Sequence, residues 1–176
     1  MVSIVMTPRE KTDESYTDAK GRKRWRRNDA IAENLKELHD FLVIGGYDEL
    51  HARRYPRLAH TISRHPESIV QLHQKRRITQ IPGVSKTIAG IISEYIKTGT
   101  CQKLEQWAEH TPKTVLELTK IERLGAKTAR ILYEDHGIDS LASLVEAMEA
   151  SDLDGVKGIG AKMKETICAH VAKQDG

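Results

Sequence analysis

The sequence predicts an all-α protein, and three observations carry that reading. Apolar residues recur at helical spacing through most of the chain, most clearly at Ile88, Ile91, Ile92 and Tyr95, which fall at i, i+3, i+4 and i+7. Aromatic residues make up 5% of the chain and charged residues 30%, while Ile, Leu and Ala supply most of the apolar content, a mix that suits helices. A short turn followed by a lysine and an amphipathic helix occurs three times.

With 176 residues the chain can bury one sizeable core or two small ones. No apolar run approaches the roughly 18–20 residues that span a bilayer, and the N-terminus lacks the apolar core of a signal peptide. Cys101 and Cys168 lie far apart without CxxC spacing, so a reduced intracellular setting, cytoplasmic or nucleoid-associated, is expected. The eight histidines form no HxxxH or Cys/His cluster, so no metal site is expected.

Charge is unevenly placed. Residues 1–27 hold 8 Lys/Arg against 4 Asp/Glu, whereas the remaining 149 hold 20 against 21. Within that body, His51 to Arg77 carries Arg53, Arg54, Arg57, Arg64, Lys75, Arg76 and Arg77 against Glu67 alone. Such clustering fits a polyanion partner, or else a solvated helix face.

In chain order, residues 1–27 show no lasting periodicity and read as a disordered basic tail. Its end, KGRKRWRR, surrounds Trp25 with cations. That run suits phosphate contact with the indole stacked on a base, or serves as a solubilising arm. Asn28 or Asp29 can cap a first helix whose apolar face is Ile31, Leu35, Leu38 and Leu42, ending at Gly45-Gly46. A second helix runs through His51 to Arg64, with Leu58 and Ile62 inward. A third, short one follows Pro66 and carries Ile69, Val70 and Leu72.

The first turn is IPGVSKTIAGIISEYI, residues 81–96. Pro82 ends what precedes it, Gly83 supplies the sharp turn, and Ser85-Lys86 open a helix. Amides at the positive end of that helix, beside the turn, suit a phosphate. This is a helix-hairpin-helix. After Thr98-Gly99-Thr100 come helices with Leu104 and Trp107, and then with Val115, Leu116 and Leu118 behind a Thr111-Pro112 start. The second hairpin, IERLGAKTARI, spans 121–131, and its helix ends near Gly137. Ser140 to Ala150 forms the next helix. The third hairpin, VKGIGAKMKETI, spans 156–167. Lys86, Lys127 and Lys162 fall at or beside one offset, and three such units form a strong signal where one would be weak.

Residues from about Asn28 to Val171 resemble the N-terminal half of the family X DNA polymerases, the group of DNA polymerase beta. The carrying motifs are RRYPRLAHTISRHPESI, IPGVSKTIAGIISEYIKTG, LGAKTARILYEDHGI and LDGVKGIGAKMKETI. The resemblance implies a lyase-type helical domain over 28–107 holding the first hairpin, then a tandem hairpin domain over 108–176. It also implies sequence-independent binding of gapped, nicked or 5′-phosphorylated DNA and single-strand/duplex junctions, a repair-protein partner, and a Na+ or K+ ion on hairpin carbonyls. The 5′-phosphate would meet His51, Arg53, Arg54, Tyr55 and Arg57, with His51 standing where a lysine is usual. The backbone would meet Gly83, Val84, Ser85, Lys86 and Thr87 at the first hairpin. Leu124, Gly125, Ala126 and Lys127 would serve at the second, and Gly158, Ile159, Gly160, Ala161 and Lys162 at the third.

The departures from the family pattern set the expected function. A polymerase palm would have to follow residue 176, so the chain is not expected to polymerise DNA. Asp152 and Asp154 read as a turn or helix cap rather than a metal pair. Ile91 occupies the position of the family's Schiff-base lysine, and an isoleucine cannot form one. Thr87 stands where the family's phosphate-holding lysine falls, and Lys103 is the best surviving nucleophile candidate. Arg123 replaces the first glycine of the second turn, closing its amide patch or reaching a phosphate itself. Ser85 replaces the second glycine of the first. The expected function is a non-enzymatic, structure-specific DNA-binding protein acting in repair or DNA maintenance. An abasic-site lyase using Lys103, a protein-interaction module, and a piece working beside a separate palm subunit are the alternatives.

Overall fold

Residues 13–174 are described by the computed structural model. An antiparallel pair of short strands, β1 (Ser15–Thr17) and β2 (Lys23–Trp25), opens the chain, with Tyr16 opposite Arg24. The helices follow: α1 (Arg26–Ile44), α2 (Glu49–Ala52), α3 (Arg54–Ser63), α4 (Ile69–Gln74), α5 (Lys86–Thr98) and α6 (Gln102–Ala108). A 3-10 turn, Ile78–Gln80, leads into α5. Then come α7 (Lys113–Leu118), α8 (Ala126–His136), α9 (Leu141–Glu149) and α10 (Ala161–Gln174). The protein is all-α apart from the strand pair. No helix among the described residues is long and apolar enough to cross a membrane.

The expected disordered tail is corrected by the strand pair. Asp18 holds the turn by accepting from the Lys20 and Arg22 amides at 2.9 and 3.0 Å, and by an ion pair with Arg22 at 2.8 Å. The Arg22 bonds keep the Asp18 carboxyl down at about 2. Asp29 accepts from Tyr16 Oη at 2.5 Å and from Arg24 at 2.8 Å, fastening the pair to α1. Trp25 is half-buried: its Nε1 donates to the Pro66 carbonyl at 3.0 Å, and Lys23 Nζ sits 4.5 Å from the ring centroid. The part of the expected tail before Asp13 lies outside the described residues.

The chain divides into two compact units. One holds the described residues up to Lys36 together with Arg54–Cys101, and the other Glu37–Arg53 with the described residues from Gln102. The sequence reading set its boundary after Trp107; by contact, α6 and the segment 37–53 group with the second unit. The physical reason is α1, which is long enough to supply Ile31, Ala32 and Leu35 to one unit and Val43 and Ile44 to the core of the other.

In the first unit Asn28 is fully buried and lies inside the first turn of α1, which begins at Arg26, so the expected cap at Asn28 or Asp29 is corrected. Its Nδ2 donates to the Glu67 carbonyl at 3.0 Å and its Oδ1 accepts from the Ile69 amide at 2.8 Å, tying α1 to the start of α4. Ser68, not Pro66, begins α4, accepting from the Gln71 amide. Tyr55, Leu58, Ala59 and Ile62 form the inner face of α3. The predicted face of α5 is buried as expected, and Tyr95 Oη donates to the Asn34 carbonyl at 3.2 Å. Gly99, at φ +77°, ends α5 in the left-handed conformation that glycine adopts without steric cost.

The second unit packs Val115, Leu118, Leu124, Ala129, Leu132, Leu144, Leu153 and Ile167 with Ala52 in one core. Ser140 and Ser143 form a capping box at α9, and Gly137 ends α8. Thr111 is buried rather than capping, and α7 begins behind Pro112.

Candidate nucleic-acid interface

All three hairpins are the same local object. Each turn closes with an amide donating three residues back at 3.0 Å: Val84 to Ile81, Leu124 to Ile121, Ile159 to Val156. Those six side chains are buried, whereas positions 82, 83 and 85, 122, 123 and 125, and 157, 158 and 160 are exposed. The residue two after the closing carbonyl is left-handed each time, with φ +84° at Gly83, +67° at Arg123 and +93° at Gly158. The apolar pair anchors the turn in its core, so the exposed turn residues stand beside the starts of α5, α8 and α10, the helix ends where unpaired N–H groups and the positive end of the dipole fall.

The departures from glycine resolve differently. Ser85 has φ −75°, which any residue adopts, and its hydroxyl accepts from the Ile88 amide at 3.3 Å, so it caps α5 without strain. Arg123 keeps the left-handed turn, at a strain of about 1–2 kcal/mol for a residue with a Cβ. The amide patch of the second hairpin is therefore not closed by a changed backbone. Its α8 starts at Gly125 without a side-chain cap.

The turn carbonyls of Ile81, Ile121 and Val156 each accept one amide and keep a second lone pair. Each turn could offer such an uncharged oxygen as one ligand to the Na+ or K+ ion that the resemblance implies.

In the first unit the turn and the basic helix are joined. A Cβ on Gly83 would stand 3.2 Å from Leu58 Cδ2, so the first turn lies directly on the inner face of α3. The outer face of α3 and its end expose Arg54, Arg57, His60 and Arg64, with an Arg64 guanidinium nitrogen 2.6 Å from His60 Nε2. Lys75, Arg76 and Arg77 are exposed at the end of α4, where cations complement the helix dipole. Lys86 is exposed, and among the described residues it has no ion-pair partner; Thr87 is exposed beside it.

The expected 5′-phosphate residues differ in exposure and in the unit to which they are assigned. Tyr55 is fully buried, with the Arg54 guanidinium 5.3 Å from its ring centroid, so its ring serves the core. Arg54 and Arg57 are exposed in the first unit. His51 and Arg53 belong to the second, and His51 Nδ1 lies 2.8 Å from Asp48 Oδ1. Ile91 is 7% exposed, a core residue of the first unit. Lys103 stands on α6 in the second, its Nζ 4.5 Å from the Tyr47 ring centroid and 3.4 Å from Tyr47 Oη. Asp152 and Asp154 lie in the turn before the third hairpin, where Asp154 pairs with Lys164.

Sequence reasoning missed Asn28 as a tertiary pin and Glu49 as a partner for Lys127, at 2.5 Å. Neither has a signal at sequence level, because both partners are distant in the chain.

Fold and turns together define a helix-hairpin-helix protein. Residues 26–101 match the family model described as a helix-hairpin-helix domain, and residues 115–173 the one described as a SAM-like helix-hairpin-helix tandem. These domains indicate DNA binding. The chain is also 33% identical over 87 residues to DNA polymerase/3'-5' exonuclease PolX of Bacillus subtilis (strain 168), a match covering 49% of this chain and 15% of that protein. With its two helix-hairpin-helix regions, the chain resembles the N-terminal region of the family X DNA polymerases.

Proposed function

We propose that this chain acts without catalysis, as a clamp for gapped, nicked or 5′-phosphorylated DNA in repair or DNA maintenance. The supporting observation is the repeated turn, in which buried apolar pairs push open helix N-termini and exposed lysines outward. Amides and lysines of this kind hold phosphates of any sequence, and each cation that meets a phosphate releases counterions, so binding weakens steeply with salt. In the first unit Arg54, Arg57 and Arg64 extend the grip beyond Lys86. The buried Ile91, at the position where the resembling family carries its Schiff-base lysine, supports a role in holding DNA rather than cleaving it.

Binding to three labelled DNAs across a salt series tests the proposal: a short gap with a 5′-phosphate, the same gap with a 5′-hydroxyl, and intact duplex. The expected result is tightest binding to the phosphorylated gap, with affinity falling as salt rises. Equal affinity for all three would overturn the structure preference, and no binding to any would overturn the DNA reading. Borohydride treatment with abasic DNA is expected to trap no covalent adduct. An adduct lost on Lys103→Ala would replace the clamp with a lyase.

A further inference from the structure

The second unit contains two hairpins with the same backbone, yet their electrostatic surroundings differ. Lys127 and Lys162 occupy the same place, the second residue of α8 and of α10. Lys127 Nζ lies 2.5 Å from Glu49 Oε2, whereas among the described residues Lys162 has no ion-pair partner. The exposed residue after the closing carbonyl is Glu122 in one turn and Lys157 in the other. Arg123 Nε lies 3.8 Å from Glu122 Oε1. The second hairpin thus sets two cations against two carboxylates. The third presents Lys157 and Lys162, and the nearby Asp154 is taken up by Lys164.

Glu49 is held in place by its own segment. Asp48 caps α2 by accepting from the His51 amide at 2.8 Å, and Ala52 is buried in the core that includes Leu124, Ala126 and Ala129. Gly46, at φ +87°, brings its backbone against Arg130 of α8, where a Cβ would stand 3.3 Å from a guanidinium nitrogen. An exposed ion pair such as Glu49–Lys127 is weak by itself. Its effect here is exclusion: the carboxylate already sits where a phosphate would meet Lys127, and it repels one that approaches.

We infer that Glu49 is a specificity-determining residue that withholds the second hairpin from nucleic-acid phosphates, leaving the third as the anion-gripping hairpin of its unit. This inference rests on the DNA-binding reading above. Glu49→Gln, Lys127→Gln, Lys162→Gln and the Glu49→Gln/Lys127→Gln double variant test it, in the full chain, by binding to gapped DNA across a salt series. Lys162→Gln is expected to weaken binding about tenfold and to lower the salt slope by about one, as for a lost phosphate contact. Lys127→Gln is expected to change affinity less than about twofold in the parent chain, but several-fold once Glu49 is Gln. Circular dichroism verifies that each variant is folded, and Glu146→Gln on the exposed face of α9 controls for the loss of one negative charge. Equal losses for Lys127→Gln and Lys162→Gln in the parent chain overturn the inference and leave the DNA reading intact. A parent chain without salt-dependent binding overturns both.

Discussion

The second and third hairpins show how far a shared backbone can part company from a shared surface. Both bury an apolar pair, both pass through a left-handed residue, and both open a helix at an uncapped glycine with alanine and then lysine next. They differ in what surrounds the amides: a strained arginine, an acidic turn residue and a carboxylate from α2 at one, and at the other an unstrained glycine with two lysines that have no ion-pair partner among the described residues. Apolar anchoring determines whether the turn forms, whereas nearby charge determines what it attracts. The two properties are carried by different residues, so one can change without the other.

Substitutions that break the comparison should have the largest effects where the hairpins are alike. Leu124→Ala and Ile159→Ala, at residues 1% and 4% exposed, are each expected to cost about 2–5 kcal/mol in urea unfolding. A negligible cost at either would show that its turn is not anchored by the core. Exchanging the left-handed residues comes next. Gly158→Arg is expected to lose about 1–2 kcal/mol from the left-handed backbone alone, and its Cβ would also stand 3.1 Å from Thr128 Oγ1. Arg123→Gly, where that strain is already present, is expected to be within about 1 kcal/mol of neutral, because relief of strain is offset by the entropy of glycine. Thermal unfolding of the pair would expose any departure from that asymmetry.

Smaller effects sharpen the electrostatic side. Glu122→Lys gives the second turn the charge of Lys157 and is expected to tighten gapped DNA a few-fold while making the salt dependence steeper. Unchanged affinity would mean that the second turn stays away from DNA whatever its charge. The smallest effect concerns pH. The His51 amide, first among its partners, holds the Asp48 carboxyl below its ordinary value. The support that Asp48 lends α2 is therefore fully present above the unfolded value near 4, and is lost as pH falls through the lower folded one. A carbon-detected NMR titration of Asp48 should find its midpoint below 3.8; a midpoint at or above that value would remove the cap from the account of how Glu49 is positioned.

Much of the interface was legible in the chain because its determinants are local. Pro82 and Gly83 specify one turn, Ser85 caps the helix behind it, and the spacing of Ile88, Ile91, Ile92 and Tyr95 specifies the buried face. The strand pair at 15–25 was not legible, since six cations in eight residues resemble a solvated tail. Its order depends on Asp18, on Asp29 of α1 and on the Pro66 carbonyl, the last 41 residues from Trp25. The unit boundary was hidden for a related reason: periodicity shows where α1 is apolar, but not which core each apolar residue enters.

By itself, then, the sequence determined that the protein is helical and that one turn recurs three times, because glycine, proline, capping residues and apolar period act over a few residues. Only the tertiary structure decided that Tyr55 belongs to a core, that Asn28 ties two helices together, and that Glu49 faces Lys127. Those facts depend on which distant side chains the packing brings within about 3–4 Å of each other, the range over which hydrogen bonds and close ion pairs act.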